Sequence, residues 1–430
     1  MDKTVENLFT LIEKGVSPFQ VVEAARERLE EAGFEELHLD SAWGISFGKK
    51  YYMVHHGTTL IAFTLSEDLH YRDNFRMAAA HTDFPGLRIK PNPEVETKGY
   101  EQLNVEVYGG AILNTWLDRP LGVAGKVALR SDNVFAPKIV YFQSKNPILT
   151  IPNLAIHMNR EVNKGVELNR QKDMLPIAGI ADHKEVDREF FMEYLSTELE
   201  VAAKDILDFD LFLYNDEAPR FVGIREDMIS APRLDNLTSV NALLDGIIEG
   251  NRRSGINLIA LFDHEEIGSR TKQGAGSMLL RDVLEKMQYA VGRDNCQVKE
   301  AIYRSMMLSV DVAHALHPNQ SGKADITNQP VLNQGFCIKE AGNQSYATDS
   351  EVIAIVQQIC EKEKIAYQKF ANRSDMPGGS TLGSIASSFL PVNTVDIGIP
   401  LLAMHSAREL MGREDMEALS KFITSYFSIT

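Results

Sequence analysis

A chain of 430 residues, 44% hydrophobic and 24% charged, holds enough apolar material for two domains or for one domain with a large insertion. Sixty acidic residues against 44 basic ones leave a formal net charge of −16, which argues against nucleic acid or an anionic membrane as a partner. Cys296, Cys337 and Cys360 are odd in number and show no C-x-x-C spacing, and no run of 18 apolar residues occurs. This excludes a disulfide framework, a zinc ribbon and a membrane-spanning helix as expectations. The acidic start MDKTVENLFTLIEKG lacks a basic-then-apolar leader pattern, so a cytoplasmic location is expected.

In chain order, Ser17-Pro18 is a cap followed by a first-turn proline, and VVEAARERLEEAGF (21–34) predicts an amphipathic helix that stops at Gly33. Two β-rich segments follow, KYYMVHHGTTLIAFTLS (50–66) and NFRMAAAHTDFPGLRIKP (74–91). From about residue 94, short alternating segments such as QLNVEVYGG, VAGKVALR and KIVYFQ are separated by turn residues, as in an antiparallel region. Beyond about residue 231, helical patterns alternate with apolar strands: NLTSVNALLDGIIEG then INLIALF, and SMLLRDVLEKMQYAVG then SMMLSVDV. DSEVIAIVQQICEKEK precedes AYQKFA, and STLGSIASSF precedes TVDIGIPLLAM. The expected fold is α/β, a central, mostly parallel sheet flanked by helices. It is assembled from residues 1–93 and 232–430, with a β-rich domain inserted at 94–231.

Ligand sites of open α/β sheets lie beyond the carboxyl ends of the strands. His81 and Asp83, Glu265 with Glu266, Asp311 and His405 each follow an apolar run, and Asp235 sits in APRLDNL. These groups are candidates for convergence on one rim. Imidazole plus carboxylate without thiolate suits zinc, with cobalt or manganese as alternatives. Two histidines and three carboxylates exceed one tetrahedral shell and match two ions sharing a bridging carboxylate, about 3.5–4 Å apart. Gly268 stands where H-E-x-x-H needs its second histidine, which disfavours the single-ion helix site. Asp235 also fits a helix N-cap, and His317 before Pro318 fits an ordered turn.

The motifs AAHTDFPGLRIKP, TWLDRPLGVAGKV, IPNLAIHMNR, RLDNLTS, DHEEIGS, DVAHALHPN, MPGGSTLG and MHSARE occur in order along nearly the whole chain. In these the chain resembles the aspartyl aminopeptidase family of dinuclear zinc metallopeptidases. The resemblance implies a zinc exopeptidase-like fold and an inserted dimerisation domain that gates substrate. It also implies two zinc ions per subunit: His81 and Asp311 on one, Glu266 and His405 on the other, Asp235 bridging. Glu265 is implied as general base and Asp83 as the partner that orients His81. His157 matches a histidine supplied by a neighbouring subunit to stabilise the oxyanion. Lys339 falls where the family binds an acidic side chain, and His314 is a further substrate-binding candidate.

The implied activity is removal of one N-terminal residue, Asp or Glu by preference, through a dizinc-activated water. The implied assembly is a homo-oligomer, a dodecamer built from dimers. Two residues depart from the pattern: Phe84 replaces the small residue after HTD, and Gly378 beside Gly379 stands where a cysteine is frequent. Phe84 opens the alternative of broader or non-acidic specificity. From another class, a catalytically silent shell-forming relative is opposed by the presence of every expected ligand.

Overall fold

The computed structural model describes residues 3–70, 72–181, 189–376 and 378–429. Pro377 of the MPGGSTLG motif, residues 182–188 of the inserted region and the outermost chain ends lie outside the described residues. The chain divides into two compact units. One comprises Met1–Asp83, Pro219–Met404 and Glu409–Thr430; the other comprises Phe84–Ala218 with His405–Arg408.

The first unit is an α/β layer structure around a nine-stranded mixed sheet. Its central strands Ile256–Phe262, Phe75–His81, Met306–Val310 and Asn393–Gly398 run parallel. Thr59–Leu65 and Lys50–His55 add antiparallel on one side. Phe336–Glu340, antiparallel to Asn393–Gly398, carries Tyr367–Ala371 on the other. All seven residues of Ile256–Phe262 are buried, as expected of a strand covered on both faces. The helix Leu234–Glu249 packs on Phe75–His81 and meets Lys3–Lys14 and Arg413–Tyr426. Pro18–Glu31, Leu279–Ala290, Ser350–Glu363 and Leu382–Phe389 form where the apolar periodicity predicts helices. Asp349 caps Ser350–Glu363 by accepting the N–H groups of Glu351 and Val352. Among the described residues no helix is long and apolar enough to cross a membrane.

The second unit is a six-stranded, wholly antiparallel sheet around Leu87, Val105, Trp116, Val123, Leu211 and Leu213. Its bounds differ from 94 and 231. The strand Gly86–Thr97 belongs to it, because Leu87 and Arg88 pair with Leu213 and Phe212 and both ends of the strand pair with Tyr100–Tyr108. Pro91 and Pro93 sit inside that strand, where the register shifts between Ile89 and Glu94; a bulge tolerates the missing N–H groups. At the other end, Arg220–Val222 pairs with Met228–Ala231, which pairs with Glu409–Gly412 of the first unit's sheet system.

Candidate metal centre

Parallel strands end on a common edge, and the register aligns the ends here. His81, the last residue of its strand, lies opposite Phe262, and Glu265–Ile267 turns one step beyond. Asp311 directly follows Met306–Val310, with its N–H donating to Ile397. Asp235 enters from the head of the helix Leu234–Glu249, where Asp235 and Asn236 keep non-helical backbone angles. Arg233, at the formal start of this helix, makes no side-chain capping bond, and Asp235 is held in the kink ahead of the helix proper.

One ligand atom each from His81, Asp235 and Glu266 lie within 4.8 Å of one another. His81 Nε2 is 3.4 Å from Asp235 Oδ1 and 3.5 Å from Asp311 Oδ1. The other ring nitrogen, Nδ1, is 2.9 Å from the carbonyl oxygen of Asp83 and 3.4 Å from its Oδ1. A proton on Nδ1 donated to that carbonyl leaves Nε2 as the free nitrogen facing the carboxylates, the tautomer a metal ligand needs. Asp83, wholly buried, also accepts the backbone N–H of Glu265 on Oδ1 and that of Glu266 on Oδ2, each at 3.1 Å. Asp83 therefore fixes the imidazole through its backbone carbonyl and the turn bearing the glutamate pair through its carboxylate.

The carboxylates crowd a desolvated volume. Burial pushes Glu265 up to about 8, His81 opposing and Asp311, Asp83 and Asp235 adding to it. Burial also holds Glu266 well above the ordinary carboxylate range, with Asp235 reinforcing it. Burial acts to lower His81, but its hydrogen bonds to Asp235, Asp311 and Asp83 override this and hold it well above its usual value. Such a cluster calls for a cation, and oxygen and nitrogen donors without thiolate fit zinc. A carboxylate raised in the folded state contributes fully to folding below its unfolded value of 4.5 and loses that contribution as pH rises through about 8. His81, also raised, loses its contribution in the same direction. Metal-free protein is thus expected to melt at falling temperature from about pH 5 to about pH 9, while metal-loaded protein holds its Tm. Calorimetry with and without chelator measures this widening gap; a gap constant with pH contradicts it.

His405 and His157 belong to the second unit. His405 has φ 66° and its Nδ1 is 3.2 Å from the Gly110 carbonyl; a Cβ at Gly110 would stand 3.1 Å from that nitrogen, so a larger residue there requires the imidazole to give by a few tenths of an ångström. His157 is exposed in the turn after Ile151. His314 is exposed on the short strand Ala313–His314, its ring 6.0 Å from that of Phe370.

Lys339 is not the solvated lysine of an alternating strand. It is 1% exposed, its Nζ donates to the Val312 carbonyl at 3.0 Å, and it lies 4.9 Å from the Tyr346 ring centre. Burial acts to lower it, and Asp311, Tyr346, Asp396 and Asp235 more than offset this, so the ammonium stays charged. His317 orders its turn as expected, Nδ1 accepting the Asn319 N–H at 3.2 Å. Gly44–Gly48 forms a G-x-S-x-G pattern, but Ser46 is exposed in an irregular stretch ahead of Lys50–His55, not on a strand-to-helix elbow.

Two residues that sequence reasoning missed hold the Asp235 turn. Glu409 Oε2 accepts the Asp235 N–H at 3.0 Å, and Asn236 Nδ2 donates to the Val310 carbonyl at 3.0 Å. The only local hint was that Glu409 closes the MHSARE motif.

Residues 11–427 match the family model of aminopeptidase I zinc metalloproteases (M18). The chain belongs to that family. This M18 chain is therefore a zinc aminopeptidase, a peptide-bond hydrolase. It is 44% identical over 428 residues to a probable M18 family aminopeptidase 2 of Clostridium novyi (strain NT), covering 99% of each chain. Among solved structures it is similar to the chain in a cryo-EM structure of the Ape4 and Nbr1 complex, with a TM-score of 0.94 and 30% identity over 99% of this chain and 85% of that one. It is also similar to the mApe1 dodecamer of S. cerevisiae, with a TM-score of 0.86 and 26% identity over 99% of this chain and 96% of that one.

Proposed function

We propose that this M18 aminopeptidase removes N-terminal Asp or Glu from peptides, using two zinc ions per subunit. His81 and Asp311 would hold one ion, Glu266 and His405 the other, with Asp235 between them. The observation that carries this reading is the convergence of His81, Asp235 and Glu266 within 4.8 Å, beside a Glu265 whose backbone is clamped by Asp83. Zinc held there supplies Lewis acidity, acidifying water and polarising a carbonyl. Glu265 takes the proton from the attacking water and returns it to the leaving amine.

Lys339, the buried cation behind Asp311, supports the acidic preference by offering charge to a carboxylate side chain of the substrate's first residue. The dodecameric mApe1 relative supports a homo-oligomer, in which a neighbour's His157 would meet the oxyanion.

Release rates from a panel of aminoacyl chromogenic substrates test the specificity. Asp and Glu substrates are expected to lead, and Lys339→Met to lose that lead while retaining zinc. Faster release of apolar or basic residues would overturn the acidic preference and direct attention to Phe84, 7% exposed beside Asp83.

A further inference from the structure

Glu409 carries a carboxylate that the chemistry above leaves unused. It opens the strand Glu409–Gly412, directly after the His405–Arg408 segment, and is 2% exposed. Antiparallel pairing with Ala231 fixes its backbone, and its Oε2 accepts the Asp235 N–H at 3.0 Å. Asp235 depends on an acceptor from outside its helix. Its angles (φ −79°, ψ 106°) and those of Asn236 (φ −121°, ψ 27°) break the helical ladder, and Asp235 is 3% exposed. A buried N–H without an acceptor costs about 1–3 kcal/mol.

On the far side of the same turn, the Asn236 side chain bonds Val310, the residue before Asp311. The turn is thus pinned between the strand leading to Asp311 and the strand opening at Glu409. A shift of Asp235 by a fraction of an ångström would change its reach to both His81 and Glu266, from which it is separated by less than 4.8 Å.

We propose that Glu409 is a positioning residue for the metal-binding carboxylate of Asp235. Its bond to the Asp235 N–H sets where that side chain originates, and with it the span over which the histidine and carboxylate ligands meet. This rests on the reading of Asp235 as a ligand. In this role Glu409 acts through Asp235.

Three variants separate the possibilities. Glu409→Ala removes the acceptor, Glu409→Asp retracts it by one methylene, and Glu409→Gln keeps an uncharged acceptor oxygen in place. Zinc affinity is read by competition with a chromogenic chelator. Hydrogen–deuterium exchange of the peptide spanning residues 232–237 is read in the metal-free protein. E409A and E409D are expected to weaken zinc binding by about 10–100-fold, the range seen when a ligand's supporting partner is lost. The 232–237 peptide should exchange faster in both, with protection of Ile256–Phe262 unchanged, while E409Q stays near wild type in both readouts.

Wild-type affinity and exchange in E409A overturn the proposal. So does an E409Q as weak as E409A, which assigns the effect to charge alone. Should E409A fail to fold, E409D and E409Q carry the same comparison. If the wild-type chain binds one ion, not two, the dizinc reading fails, while exchange in the metal-free variants still decides the role of Glu409.

Discussion

Replacing Glu265 by Gln is expected to lower kcat by about 10²–10⁴-fold while zinc content stays at the wild-type level. Gln preserves the length and the hydrogen-bonding shape of the side chain but cannot accept the water's proton. The backbone of the turn is unaffected, since the bond to Asp83 is made by the Glu265 N–H and not by its side chain. KM should change little, because the proton is transferred after the peptide is seated. Steady-state kinetics on one chromogenic substrate, with metal analysis of the same preparation, checks this. Wild-type turnover by E265Q would remove Glu265 from the role of base.

Asp83→Ala is expected to damage the site as a whole. It strips the Glu265 and Glu266 N–H groups of their common acceptor and His81 of the carboxylate beside Nδ1. Each buried N–H left unpaired costs about 1–3 kcal/mol, and the turn is expected to relax in order to recover solvent or other partners. Metal affinity should fall by about 10–100-fold, and kcat/KM with it. Asp83→Asn should lie between, because its single carbonyl oxygen can accept from one of the two N–H groups. Chelator competition on the two variants reads the order directly; equal affinity in D83A and wild type contradicts the clamp.

The parts of this site legible in the sequence are those whose position follows from strand direction. His81, Glu265, Glu266 and Asp311 stand just past apolar runs, and parallel pairing of those runs places their ends on one edge. Residues acting across long sequence separations left no such trace. Glu409 meets Asp235 across 174 positions and Asn236 meets Val310 across 74, and neither contact alters local periodicity.

The change of sequence character at about residue 94 falls inside the strand Gly86–Thr97, whose sheet absorbs Pro91 and Pro93 in a bulge, so the second unit starts earlier, at Phe84. A lysine amid apolar residues, such as Lys339, ordinarily marks a strand with one solvated face. Phe336–Glu340 is instead covered on both faces, and the ammonium finds a carbonyl and an aromatic ring inside.

The most direct test of the account is a titration of zinc into chelator-stripped protein, with release of the N-terminal residue from an aspartyl substrate measured at each addition. Activity absent without metal and rising to a plateau at two equivalents per subunit is the expected result. Full activity in the stripped protein, or a plateau at one equivalent, would contradict the dinuclear centre built on His81, Asp235 and Glu266.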